Sequence, residues 1–209
     1  MPTHYDPQKH HRRSTRLKGY DYTQSGAYFI TICTRQSECI FGEVHDGEIH
    51  LNPFGRAALQ VWQDLPRHYP YVILGEFCIM PNHVHAIIIL TNDHPHTPAN
   101  NKLSKGGSIS ATPQSAIQDD ERHRTAQDLD KTRPYERHGL TEIVRAFKSF
   151  SARHINLIRK TSGVPVWQRN YYEHIIRSED DLHRINQYIR ENPANWEQDE
   201  ENPNITPRR

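Results

Sequence analysis

A segment of low apolar content in the middle of the chain constrains the fold more than any other feature of the sequence. Only nine of the 49 residues from 91 to 139 are apolar, and they follow neither a helical nor a strand period. Such a segment buries too little surface to offset the entropy cost of ordering, so we expect a disordered insertion. We expect the same of the basic tail, residues 1–17, and the acidic tail, residues 197–209. The remaining residues of 18–196 then form one domain.

Hydrophobic patterns within this domain alternate between strands and helices. β-Branched and aromatic runs predict strands, and Asp46-Gly47 predicts a type I′ hairpin turn. Asn52-Pro53 predicts the start of one helix, and Pro66 predicts its end. The capping pattern Ser178-x-x-Asp181 predicts the start of another helix. Strands that come in hairpins with helices between them predict an antiparallel α+β fold. The predicted strands cover 27–33, 43–45, 48–50, 71–79, 83–90, 164–167 and 172–176, and the predicted helices cover 53–65, 140–162 and 178–192.

The composition argues against two classes of protein. The three cysteines, Cys33, Cys39 and Cys78, form no Cys-x-x-Cys pair, so we expect neither a disulfide framework nor a cysteine zinc site, as fits a reducing cytoplasm. The chain has no run of about 18 apolar residues, and its start has no apolar core, so we expect neither a membrane span nor a secretory signal. The net charge of +1 conceals a basic start and an acidic end.

His83 and His85 begin a predicted strand directly after the turn at 80–82. Side chains alternate along a strand, so both imidazoles project from one face, as two ligands of one metal ion would. With 15 histidines in 209 residues, about one such pair arises by chance. A second pair, His94 and His96, lies in the predicted insertion. The spacing alone leaves two interpretations open, a metal site or two hydrogen-bonded strand histidines.

Tyr188 and Asn192 lie four residues apart on the last predicted helix, so they share one helical face. Leu182, Ile185 and Ile189 form the face that packs inward, and Tyr188 lies at its margin. A tyrosine at this position is usually a packing residue with its hydroxyl in water. The pattern alone therefore leaves packing and catalysis open as roles of Tyr188, and Asn192 also suits a helix end before a proline.

Five segments, in their order and separation, resemble the REP-associated tyrosine transposases, a branch of the single-tyrosine His-hydrophobic-His transposase superfamily. The resemblance extends from about residue 16 to residue 196 and is interrupted by the segment 91–139. It implies a ferredoxin-like antiparallel sheet flanked by helices. The five segments are RLKGY at 16–20, GAYFITIC at 26–33, MPNHVH at 80–85, VWQRNYYEH at 166–174 and YIRENP at 188–193.

The resemblance implies a role for each residue of the two motifs. Tyr188 matches the nucleophile, while His83, His85 and Asn192 match the ligands of one divalent cation, Mg²⁺ or Mn²⁺. The implied reaction is attack of Tyr188 on a phosphate of single-stranded DNA, which gives a 5′-phosphotyrosine and a free 3′-hydroxyl, so that rejoining needs no ATP. Tyr172 is the alternative nucleophile if the helix is assigned wrongly.

The implied substrate is single-stranded DNA with repetitive extragenic palindrome hairpins, bound by a monomer or homodimer in the cytoplasm, at the nucleoid. Basic residues should contact the DNA backbone, and an aromatic ring beside them suits stacking on unpaired bases. For each basic residue, a solvated surface position is the alternative. The predicted DNA-binding residues are Arg12, Arg13, Arg16, Lys18, Arg145, Lys148, Arg169 and Tyr171, with Arg153, Arg159 and Lys160 as further candidates.

Three other functions remain open at this point. The first is a DNA-hairpin-binding module without catalysis, which the presence of both motifs disfavours. The second is a metal-dependent hydrolase that uses the same histidines with an activated water and forms no covalent intermediate. The third is a metal-binding fold without catalysis. A trapped protein–DNA adduct would separate the transposase from all three.

Overall fold

The computed structural model describes residue 17, residues 19–92 and residues 138–204. The predicted DNA contacts Arg12, Arg13, Arg16 and Lys18 lie outside the described residues, as does all of the predicted insertion except its first two and last two positions. The end of the predicted acidic tail, residues 205–209, lies outside them as well.

A four-stranded antiparallel sheet in the order β4-β5-β1-β6 forms the centre of the described fold, and β2 and β3 form a separate hairpin. The strands of the sheet and the first two helices follow one another as β-α-β-β-α-β, which with this strand order is the ferredoxin-like arrangement. The predicted fold class is therefore confirmed. The strands are β1 (Gly26–Cys33), β2 (Gly42–His45), β3 (Glu48–Leu51), β4 (Val72–Ile79), β5 (His83–Leu90) and β6 (Tyr172–Ile176), and the helices are α1 (Pro53–His68), α2 (Leu140–Ile158) and α3 (Glu179–Glu191).

The main core lies on the face of the sheet that α1 and α2 cover. Ile30 of β1 and Ile88 of β5 are fully buried there. Trp62 of α1 and Phe147 of α2 meet edge to face, with ring centroids 5.7 Å apart. Because side chains of this size exclude a large apolar area from water, this contact stabilises the packing of α1 against α2.

Helix α3 covers the opposite face, which also carries the two histidines of β5. Phe29 and Ile87 of the sheet pack there against Ile185 and Ile189 of the helix. Since both faces of the central strand β5 are covered, its sequence is a nearly continuous apolar run after the histidines. An ion pair from Arg190 of α3 to Glu76, at an irregularity of β4, adds a polar attachment.

Local boundaries differ from the sequence prediction at three places. Helix α1 continues past Pro66 to His68, since a proline in the last turn removes one hydrogen bond without preventing that turn from closing. Helix α2 ends at Ile158 rather than at 162, and Lys160 then has a positive φ of 55°. The predicted strand 164–167 is reduced to one bridge between Thr34 and Trp167. The hairpin turn is as predicted, with positive φ at Asp46 and Gly47.

The described part of the acidic segment, residues 197–204, packs against the domain instead of extending from it. A short 3₁₀ turn covers Trp196–Gln198, and after it the side chain of Asp199 and the whole of Asn202 are buried. The Asn82 amide donates a hydrogen bond of 2.6 Å to the Glu201 carbonyl oxygen and thereby joins this segment to the start of β5. The structured part of the chain therefore reaches beyond the expected boundary at residue 196. Among the described residues, no helix combines the length and apolar character that crossing a membrane requires.

Candidate metal and tyrosine site

The predicted histidine pair is fully buried beneath α3, and its two Nε2 atoms lie 2.9 Å apart. Thr31 Oγ1 lies 2.9 Å from His85 Nδ1. His83 Nδ1 lies 2.8 Å from Asn82 Oδ1, and because that amide uses its nitrogen as a donor to Glu201, the histidine must be the donor. His83 therefore carries its proton on Nδ1 and directs the lone pair of Nε2 towards His85.

Burial keeps both imidazoles in the form that binds metals. It lowers the pKa of His83 to about 4, against an opposing effect of the Asp199 carboxylate. Burial, and then the neighbouring His83, hold the pKa of His85 well below its usual value. Both rings are thus neutral at pH 7, and neutral imidazole is the metal ligand.

Asp199 also belongs to the site, although no sequence pattern predicted it there. Its Oδ2 lies 3.7 Å from His83 Nε2, its side chain is only 6% exposed, and the ligand atoms of His83, His85 and Asp199 all lie within 4.8 Å of one another. The sequence shows Asp199 only as one of several acids near the chain end, and no periodic pattern relates it to β5.

Tyr188 projects from α3 onto the histidine pair. Its hydroxyl oxygen is 3.3 Å from His85 Nε2, and its ring packs edge-on against Phe29 at a centroid distance of 6.0 Å. The side chain remains 47% exposed, so a large substrate can reach it. Burial, followed by the Asp199 carboxylate, raises the pKa of Tyr188 to about 12, although a hydrogen bond with Asn192 acts in the opposite direction. The phenol is therefore protonated at neutral pH.

Asn192 is the C-cap residue of α3, one turn after Tyr188, and is only 3% exposed. Its Oδ1 is a buried acceptor without a hydrogen-bond partner among the described residues. Leaving such an oxygen unpaired costs about 1–3 kcal/mol, so a native structure usually has a reason for it. A divalent cation fits the site, because two neutral imidazoles, an amide oxygen and a carboxylate are donors that Mn²⁺ and, through the oxygens, Mg²⁺ accept.

The site opens into a cleft of about 780 Å³. Thr31, Tyr172 and Glu201 also line a second cleft of about 930 Å³, so the two clefts adjoin. We call them the tyrosine cleft and the basic cleft. The tyrosine cleft is lined by Phe29, Thr31, His85, Tyr172, His174, Arg184, Ile185, Tyr188, Asn192, Asn195, Gln198, Asp199, Glu200 and Glu201.

The basic cleft contains four of the predicted DNA-binding residues, Arg145, Lys148, Arg169 and Tyr171. The Lys148 ammonium is engaged within the protein, since it donates to the carbonyl oxygens of Gln168 at 2.6 Å and of Arg169 at 2.9 Å. Burial lowers the pKa of Lys148 to about 8. The further candidates Arg153, Arg159 and Lys160 do not line either cleft.

The known proteins to which the chain is similar include two solved structures and a relative in sequence. No family model matches it. One similar solved structure is a REP-associated tyrosine transposase bound to a REP hairpin, with 14% identity, 87% of this chain and 74% of that chain covered, and a TM-score of 0.48. Another, from Deinococcus radiodurans R1, is provisionally named a transposase, with 17% identity, 83% of this chain and 94% of that chain covered, and a TM-score of 0.40.

A relative in sequence is an uncharacterized protein of Haemophilus influenzae (strain ATCC 51907 / DSM 11121 / KW20 / Rd). The two are 39% identical over 203 residues, which cover 96% of this chain and 98% of that protein. The chain belongs to the same family as this protein.

Proposed function

We propose that this protein is a metal-dependent single-stranded DNA transesterase that nicks and rejoins DNA at repetitive extragenic palindrome hairpins. One observation carries the proposal. The hydroxyl of an accessible tyrosine lies 3.3 Å from a buried histidine pair, beside a buried amide oxygen that has no partner among the described residues. This combination brings a nucleophile and a set of cation ligands to one cleft, as the resemblance of the motifs implies.

His83, His85 and Asn192 are the proposed ligands of the divalent cation, and Asp199 is added to them from its position near His83. When bound, the cation supplies Lewis-acid stabilisation of the charge that develops on the phosphate oxygens. Asn82 and Thr31 hold the two imidazoles in orientation through their Nδ1 atoms. Such partners of metal ligands are positioning residues, and they set which nitrogen is available.

Tyr188 is the proposed nucleophile. Its phenolic oxygen attacks the scissile phosphorus, the bond from phosphorus to the 3′ oxygen breaks, and the products are a 5′-phosphotyrosine and a 3′-hydroxyl. The phenol proton must leave, since the pKa of about 12 keeps it bound at neutral pH, and the carboxylates of Glu200 and Glu201 line the cleft as acceptors. The departing 3′ oxygen takes up a proton. Attack of a 3′-hydroxyl on the phosphotyrosine reverses these changes and rejoins the strand.

The basic cleft is the proposed path of the single strand towards Tyr188. Arg145 and Arg169 supply positive charge there, and Tyr171 supplies a ring for stacking on an unpaired base. Lys148 acts within this path as a positioning residue, because its ammonium holds the 168–169 backbone. Tyr172 lines both clefts, so a strand that passes from the basic cleft into the tyrosine cleft would pass this residue.

A denaturing gel tests this function. The full chain is incubated with Mn²⁺ or Mg²⁺ and labelled hairpin oligonucleotides from palindromes of the host chromosome. Wild type should give a slowly migrating covalent adduct that Tyr188→Phe and His83→Ala both lack. Tyr172→Phe is the matched control, since Tyr172 lines the same cleft but has no hydrogen bond to the histidines among the described contacts. Binding without cleavage in every lane would indicate a hairpin-binding module, and cleavage without an adduct would indicate a hydrolase.

A further inference from the structure

The charges around the tyrosine cleft are distributed unevenly. Asp199, Glu200 and Glu201 all line it, whereas Arg184 is the sole arginine or lysine among its described lining residues. A DNA strand brings one negative charge per nucleotide into this cleft. The phosphates on either side of the scissile one therefore meet a largely acidic wall, and Arg184 is the group placed to offset it.

Arg184 lies four residues before Tyr188 on α3. Residues at this spacing are neighbours on one helical face, with Cβ atoms about 5–6 Å apart. Both side chains line the tyrosine cleft, so a strand whose phosphate is in reach of Tyr188 passes close to the Arg184 guanidinium.

Asp181 holds Arg184 in this position. Arg184 Nη2 donates to Asp181 Oδ1 at 2.5 Å, and Asp181 Oδ2 lies 2.7 Å from His174 Nε2. The Asp181 backbone N–H in turn donates to the N-cap Ser178 Oγ at 3.1 Å, which fixes the carboxylate at the start of α3. The hydrogen bond with His174, above all, lowers the pKa of Asp181, so the carboxylate is charged and paired at neutral pH.

The guanidinium still has donors for an anion. Only one of its five N–H groups is needed for the bond to Asp181, and the Arg184 side chain is 72% exposed. A guanidinium fork is well suited to phosphate oxygens. The Asp181 carboxylate is stabilised by the hydrogen bond with His174 and by the helix N-terminus as well as by Arg184, so it does not occupy the whole guanidinium.

We propose that Arg184 binds a DNA phosphate that flanks the scissile phosphate, with Asp181 and His174 as positioning residues. This inference rests on the proposed function and adds to it a second phosphate subsite in the tyrosine cleft. Arg184 would fix the register of the strand, so that one defined phosphate is presented to Tyr188.

A chemical double-mutant cycle tests the contact. The oligonucleotide is a palindrome hairpin with its flanking single strand, in which one phosphate at a time is replaced by a neutral methylphosphonate. Affinities are measured for the full chain with Tyr188→Phe, which prevents cleavage, with and without Arg184→Gln. At one flanking position, the methylphosphonate should weaken binding by about tenfold when Arg184 is present, because a charged hydrogen bond is lost. In Arg184→Gln the same methylphosphonate should weaken binding by less than about twofold.

Two further comparisons make the result specific. Arg184→Gln should reduce the slope of log K against log salt by about 0.7, the value for one phosphate of a single strand, and Arg184→Lys should restore part of it. Arg67→Gln is the matched control, because Arg67 forms the same i,i+3 ion pair with Asp64 at 3.1 Å but lies outside the cleft. It should leave the slope and every methylphosphonate effect unchanged.

The outcomes separate this inference from the proposed function. DNA binding with equal methylphosphonate effects in the presence and absence of Arg184 would overturn the inference and leave Arg184 as a surface ion pair. If the full chain binds no hairpin at any salt concentration, the proposed function fails, and the subsite fails with it.

Discussion

Burial of the histidine pair couples the stability of the metal-free protein to pH. In the unfolded chain each imidazole titrates near pH 6.5, whereas in the folded protein the pKa of His83 is about 4. The unfolded state therefore binds more protons between these values, and the free energy of unfolding should fall as the pH falls from 6.5 to 4. The expected slope is about 1.4 kcal/mol per pH unit for each proton.

Urea denaturation in the presence of EDTA, at steps across this pH range, measures this effect. The double variant His83→Gln/His85→Gln should show a shallower decline, because carboxylates that titrate in the same range contribute equally to both proteins. Parallel curves for wild type and variant would show that the imidazoles are not buried in their neutral form.

Asn192 offers a test of metal ligation that does not depend on DNA. Replacing it by the similarly sized leucine removes a buried acceptor that has no partner among the described residues. We expect Asn192→Leu to stay within about 1 kcal/mol of wild type in EDTA, because removing the unpaired oxygen offsets the loss of the hydrogen bond with Tyr188. The rise in Tm that Mn²⁺ causes in wild type should shrink or vanish.

Thermal melts with EDTA and with increasing Mn²⁺ measure both effects. Asn195→Leu is the control, since Asn195 lines the same cleft but uses its amide to donate to the Glu191 carbonyl oxygen at 3.0 Å. A full Mn²⁺ response in Asn192→Leu would remove Asn192 from the ligand set and leave Asp199 as the oxygen ligand.

Helix α3 carries Tyr188 and is followed by its C-cap Asn192, so its first turn matters for the site. Ser178 caps this turn by accepting a hydrogen bond of 3.1 Å from the Asp181 N–H. Ser178→Ala should lower the free energy of unfolding by about 1 kcal/mol, the usual effect of losing an N-cap. Chemical denaturation measures it, with the exposed Ser162→Ala as a control that should change little. Equal stability of Ser178→Ala and wild type would contradict the assigned cap.

The site shows which elements a sequence can and cannot predict. Strand periodicity correctly placed His83 and His85 on one face, and helical periodicity placed Tyr188 and Asn192 on one face of α3, because both patterns are local. That α3 crosses the sheet over His85 depends on the packing of Ile185 and Ile189 against Phe29 and Ile87. Helical periodicity predicted that the two isoleucines face inward, but the partner of this face was not contained in the periodicity. Local patterns therefore predict the parts of the site, while tertiary packing determines how they meet.

Asp199 could not be predicted in this way. Its segment reaches β5 through contacts such as Asn82 to Glu201, which are 119 residues apart in the chain. Judged by its charge alone, the segment resembles a solvated tail. The predicted strand at 164–167 was lost for a different reason, since residues 164 and 165 are exposed and Trp167 alone of the four forms a bridge, with Thr34.

The basic cleft should govern how the DNA affinity of the protein depends on salt concentration. Arg145→Gln and Arg169→Gln should each reduce the slope of log K against log salt by about 0.7, if each cation neutralises one phosphate of a single strand. Binding titrations with a palindrome hairpin at several salt concentrations measure the slope. Arg153→Gln, on the same helix as Arg145 but outside the cleft, should leave it unchanged. Equal slopes for all variants would place the DNA elsewhere.

The most direct test of the account is the identity of the residue that becomes linked to DNA. The adduct formed with Mn²⁺ and a palindrome hairpin is trimmed with nuclease, digested with trypsin and analysed by mass spectrometry. Trypsin places Tyr188 in the peptide INQYIR, residues 185–190, and places Tyr171 and Tyr172 together in NYYEHIIR, residues 170–177. We predict a nucleotide mass on INQYIR and none on NYYEHIIR. A nucleotide on NYYEHIIR, or on neither peptide, would contradict the assignment of Tyr188 as the nucleophile.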